Sequence, residues 1–94
     1  MSSSDVDHIR VTLAADDDLA PVLVVVVRGL GVRAGIDGAR LEASLQQVTR
    51  AFADLAAKGD DDTPVEVQIE AGARRVWLGL RRGEDRAHAV DISR

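Results

Sequence analysis

The sequence predicts an α+β domain with two layers: two helices packed on one face of a four-stranded sheet, in the order β-α-α-β-β-β. Three observations predict it. Residues 8–14, 65–70 and 76–80 alternate apolar and polar side chains, the period of a strand with one buried face. Leu41, Leu45, Val48, Phe52 and Leu55 recur at the spacing of a single helical stripe. Between them stands Gly35-Ile36-Asp37-Gly38, a helix stop followed at once by a new cap. With 94 residues and no cysteine, the chain has room for one small core and no disulfide staple or thiolate metal site.

Each element follows in order. The opening residues 1–7, rich in serine, predict a flexible tail, and a single domain fills 8–94. In "HIRVTLA" Ile9, Val11 and Leu13 take one side and His8, Arg10 and Thr12 the other, which predicts a first strand open to water on one face. Asp16, Asp17 and Asp18 supply helix caps, and Pro21 falls in a first turn, where its missing N–H costs nothing. The stretch "PVLVVVVRGLGVRAG" is locally balanced. Its β-branched residues favour a strand, and Gly29-x-Gly31-x-x-Ala34 has the form of a dinucleotide-binding turn. Such a turn should open a helix immediately, whereas a stop follows here. The acid expected about 20 residues on, at a strand end, would be Asp54, which falls inside the second helix. A helix from about Asp18 to Ala34 is therefore expected, with Leu19, Leu23, Val26, Val27 and Leu30 inward and Val24, Val25 and Val32 outward.

The second helix carries its stripe against Arg40, Glu42, Gln46, Gln47, Arg50 and Asp54. "KGDDDTP" ends it. "PVEVQIEA" and "RVWLGL" form a hairpin about "GAR", with Val65, Val67, Ile69, Val76, Leu78 and Leu80 inward. "RRGEDR" turns into a last short strand, "AHAVDI".

A net charge of −4 and only two aromatic residues, Phe52 and Trp77, argue against nucleic-acid binding, which needs positive charge and stacking platforms. No apolar run reaches the roughly 18 residues of a membrane span, and the N-terminus lacks a signal-peptide pattern. A soluble cytoplasmic protein is the expectation. His8 and His88 read most simply as surface histidines, and Asp60–Asp62 as a solvated turn lacking the glycine and distal glutamate of a calcium loop. No cofactor or metal is called for.

The chain resembles the anti-sigma-factor serine kinases, small bacterial members of the GHKL (histidine-kinase-like) ATPase superfamily, over roughly residues 8–83. The likeness is carried by "HIRVTLAADDDLAPV", "VVVVRGLGVRAGI", "DGARLEASLQQV" and "PVEVQIEAGARRVWLGL" in that order. It implies that the valine run is the family's first helix. It also implies a lost active site. Where the family's second helix carries a glutamate, a magnesium-binding asparagine and a basic residue at four-residue spacing, this chain has Arg50, Asp54 and Lys58. In place of the adenine-reading Asp-x-Gly-x-Gly loop stands "LRRGEDR", and the chain stops at Arg94 without a nucleotide lid. Arg50, Asp54 and Lys58 then read as an ion-pair ladder on a helix surface.

The expectation is a regulatory, protein-interaction module that neither binds nor hydrolyses ATP; the alternative is a diverged ATP-dependent serine kinase or ATPase. A sigma factor, an anti-sigma antagonist or a second copy in a homodimer is the implied partner. The candidate contact residues are Val24, Val25 and Val32 with the adjacent Arg28, and Trp77 on the open face of the sheet, whose ring is either a contact point or covered by long neighbouring side chains.

Overall fold

The computed structural model describes residues 7–57, 62–83 and 86–93. Its elements are β1 (Asp7–Leu13), a 3-10 turn (Asp17–Leu19), α1 (Ala20–Arg33), α2 (Gly38–Ala57), β2 (Val65–Gly72), β3 (Arg75–Arg82) and β4 (Arg86–Ser93). This is the α+β order that the alternation and the stripe predict. The strands form one antiparallel sheet in sequence order, β1-β2-β3-β4, with β1 and β4 at its edges. Asp7 already belongs to β1, so the first strand begins one residue inside the expected tail, whose other residues lie outside the described ones.

The helix boundaries have local causes. Asp16 caps the 3-10 turn, its Oδ1 accepting from the Asp18 N–H at 3.0 Å. The N-cap of α1 is Leu19, without a side-chain bond, so the acidic cluster caps the turn before the helix and not the helix itself. α1 ends in a Schellman motif: Gly35, at φ 76°, donates to the Val32 carbonyl and Ile36 to that of Gly31. Ile36 is buried beneath this stop. Asp37 then caps α2 through Oδ2, which accepts from the N–H groups of Ala39 and Arg40 at 3.2 and 3.4 Å.

The core lies between the helices and one face of the sheet. α2 buries Leu41, Leu45, Val48, Phe52 and Leu55, the stripe read from its sequence, together with Ala51. α1 buries Ala20, Leu23, Val27 and Gly31. Gly31 is where the helices approach closely: a Cβ there would stand 2.5 Å from Leu41 Cδ1. At the hairpin turn Arg74 takes φ 73° and donates its N–H to the Ala34 carbonyl at 3.0 Å, tying the β2–β3 turn to the end of α1.

Candidate functional site

Three surfaces collect the residues that sequence analysis singled out. On α1 the outward valines differ by one exchange from the expectation. Val25 and Val32 are exposed, at 66% and 65%, and so are Val22 (50%) and Val26 (37%). Val24 is half-buried and packs against the core. A helix apolar almost all round has no stripe of its own, so its rotation is set by what it packs on. Here the core direction runs through Ala20, Leu23, Val27 and Gly31, which turns Val24 inward and Val26 out. Arg28 lies between Val25 and Val32 along the helix and forms a bidentate pair with Glu42 of α2, Nε to Oε2 at 3.1 Å and Nη2 to Oε1 at 3.0 Å. Hydrogen bonding from Arg28 holds the Glu42 carboxyl below the ordinary carboxylate range, and the same bond raises the Arg28 pKa. The predicted contact residue Arg28 is therefore engaged within its own chain.

On the open face of the sheet Trp77 is half-buried, between the two expected states. Its indole lies over Gly79, where a Cβ would come within 2.7 Å of Cη2 and 3.2 Å of Cζ3. Glycine at 79 is what lets the ring lie down on the strand. Beyond the ring, Ala87, Ala89 and Gly79 floor a shallow hollow of about 330 Å³. Ion pairs cross this face between neighbouring strands, Arg75 with Asp91 at 2.8 Å and Arg81 with Glu66 at 3.8 Å, and His8 Nδ1 stands 4.0 Å from Glu70. Arg75 bonds Asp91 twice, which raises its pKa.

The third surface is the border of α2 with β4, where the nucleotide-site positions of the resembled family would fall. Arg50 and Asp54 face one open depression of about 360 Å³ together with Gln47 and His88; Lys58 lies outside the described residues. The Lys58 rung of the expected ladder therefore falls outside the described residues. Asp54 Oδ2 shares a hydrogen bond of 2.9 Å with His88 Nε2, across from the helix to the edge strand. The signal for that contact was the parity of β4: His88, Val90 and Ile92 alternate, and the last two are buried under α2.

A further residue escaped sequence analysis. Arg82, read as part of a turn, is the last inward side chain of β3 after Val76, Leu78 and Leu80, and it is buried. Its guanidinium donates to the carbonyls of Leu55 (2.9 Å), Ala56 (3.3 Å) and Thr63 (2.8 Å). A cation thus closes the negative end of α2 and joins it to the following loop.

Among the described residues no group of three or more His, Asp or Glu is placed to hold a metal ion, and no helix is long and apolar enough to cross a membrane. No family model matches the chain, and no curated protein matches it.

Proposed function

We propose that the chain is a non-catalytic regulatory module that acts by binding protein through the outer side of α1. One observation carries this: Val22, Val25, Val26 and Val32 stand exposed on a single 14-residue helix. Single surface valines are ordinary, but four on one helix, with Gly29 among them and nothing within 4 Å of where its Cβ would be, make an apolar face that water covers at a cost. Burying one valine side chain is worth roughly 1.5–3 kcal/mol before association costs. The resemblance to anti-sigma-factor kinases, which rests on the order of elements, gives a sigma factor or an anti-sigma antagonist as the foreign partner and a second copy as the other.

The rival is a diverged ATP-dependent kinase or ATPase using the depression beside Arg50 and Asp54. Against it, a cation occupies the place of the family's glutamate, and the Asp54 carboxylate is already bonded to His88. Two measurements separate the readings. Mg-ATP in about 100-fold excess over its Kd would stabilise a true binder by about 2.7 kcal/mol, and none is expected. The paired substitution Val25→Asp and Val26→Asp should leave the fold intact, because both side chains are exposed, and remove a protein contact that the wild type makes. If wild type and variant show the same sedimentation and the same captured proteins, the proposal fails.

A further inference from the structure

The four strands cover their helix-facing side chains unequally. In β2 and β3 those side chains are buried, Val65, Val67 and Ile69, then Val76, Leu78 and Leu80; in β4 Val90 and Ile92 are buried, and His88, exposed, is bonded to Asp54 of α2. In β1 the equivalent Ile9, Val11 and Leu13 touch the core yet remain half-exposed. β1 is also an edge, bonded to β2 alone, so one row of its N–H and C=O groups faces outward unpaired by the sheet. On α1, Val22, Val26 and Leu30 form a row at four-residue spacing. Leu30 lines a cleft with Asp7, the first residue of β1, which marks this row as the flank of α1 that overlooks the strand. Unfinished hydrogen bonding and an unfinished core therefore coincide at one border of the molecule.

We propose that a second copy of this chain completes that border. β1 pairs antiparallel with the partner's β1 across a two-fold axis, joining two sheets into one of eight strands, and the Val22–Val26–Leu30 flanks meet over the junction. The inference rests on the interaction-module reading and names its partner.

Self-complementarity of the strand selects this occupant. Pairing must set inward side chains against inward ones, which leaves few registers. With Val11 on the axis, Val11 meets its own copy, Ile9 meets Leu13, and on the open face Arg10 meets Thr12. No like charges oppose. A register centred on Arg10 would place two guanidinium groups directly opposite, which is destabilising. One centred on Ile9 would set Asp7 against Val11 and His8 against Arg10. A strand and one helix flank bury on the order of 1,000 Å² in total, the low end for a specific contact, so the dimer is reversible and weak. Val25 and Val32 flank Arg28, which reaches toward α2, and so they lie outside this junction.

The chain contains no cysteine, so Val11→Cys introduces a single thiol. Under mild oxidation it is expected to give a covalent dimer about tenfold faster than His8→Cys, which is off register, since cross-strand Cβ atoms are close only between paired residues. Sedimentation supplies the second measurement. Val26→Asp is expected to weaken self-association by about tenfold or more, while Val25→Asp leaves it unchanged. Equal crosslinking at positions 11 and 8, or a wild type that is monomeric at about 200 µM, overturns the inference. If Val25→Asp abolishes association and Val26→Asp does not, the outer face carries it instead; that sinks the β1 junction and leaves the interaction-module proposal standing.

Discussion

The two edges of the sheet are built from similar strands and finished differently. β4 is roofed by α2: Val90 and Ile92 are buried, His88 is held by Asp54 at 2.9 Å, and Asp91 is gripped twice by Arg75 of the neighbouring strand. β1 has the same alternation, but its three apolar side chains are only partly buried, and His8 Nδ1 stands 4.0 Å from the Glu70 carboxylate, beyond hydrogen-bonding distance. What differs is the helix above. α2 is 20 residues long with a single apolar stripe, so all of its grease points into the fold. α1 is 14 residues long and apolar on most sides, so it leaves valines outside while failing to cover β1. Both edges carry an unpaired backbone row, but only at β1 does partly buried apolar surface lie beside it.

The largest effect expected from breaking this contrast is at β4. Ile92, 1% exposed, becomes a cavity in Ile92→Ala, at a cost of about 3 kcal/mol. Ile9→Ala, at an inward position on the opposite edge, should cost about 1 kcal/mol in dilute solution, because that side chain is only partly buried. Chemical denaturation at two protein concentrations sharpens the comparison. The Ile9→Ala penalty should grow with concentration, as wild type gains from association, while the Ile92→Ala penalty stays constant. If both penalties are alike and concentration-independent, the edges are equivalent and β1 has no partner.

Next in size is Arg82→Met, which keeps the apolar stem and removes the guanidinium bonded to the carbonyls of Leu55, Ala56 and Thr63. Leaving those groups to find new partners should cost about 2–3 kcal/mol. Its location matters more than its size. Once the last turn of α2 is released, amide exchange at Val90 and Ile92 should accelerate toward that of β1, while exchange at Ile9 and Val11 is unchanged. Uniform acceleration across the sheet would mean that Arg82 supports the whole fold and not the roof over one edge.

The sequence carried the parts of this contrast unequally. The strands and α2 were legible because each writes a period that only one geometry satisfies, and the end of α1 was legible because Gly35 and Asp37 do chemistry that other residues do poorly. The rotation of α1 was not. Val22, Val24, Val25 and Val26 are chemically identical, and what sends Val24 toward the core and Val26 outward is the close approach of Gly31 to Leu41, a tertiary event. For the same reason Ile9, Val11 and Leu13 read no differently from Val65, Val67 and Ile69; burial depends on where a helix comes to rest. Arg82 and His88 were placed by strand parity, which is readable, but the groups they meet lie 19 or more residues away in sequence. Of the nucleotide-site positions suggested by resemblance, Arg50 and Asp54 do share a depression, and the bond from Asp54 to His88 was beyond reach of any local pattern.

The smallest effect belongs to the seam between the helices, which borders neither edge and so tests whether the contrast is local. Glu42 has its pKa lowered chiefly by the hydrogen bond from Arg28, so the pair contributes stability above the unfolded pKa of a glutamate, about 4.3, and loses it as pH falls through the lower folded value. Arg28, its pKa raised, stays charged throughout that window and would lose its share only in strong alkali. Both side chains are exposed and screened by salt. Arg28→Ala should therefore return the Glu42 carboxyl toward its ordinary titration, seen by carbon NMR. Melts should separate slightly from wild type at neutral pH and coincide in acid, once Glu42 is protonated in both. A separation that persists in acid would trace the effect to packing of the Arg28 stem. Amide exchange at β1 and β4 should not distinguish the two proteins at any pH, because the pair joins helix to helix and transmits nothing to either border of the sheet. If removing it loosened β1 alone, α1 would owe its position to α2, and the half-covered edge would be a consequence of that seam and not of the valine helix itself.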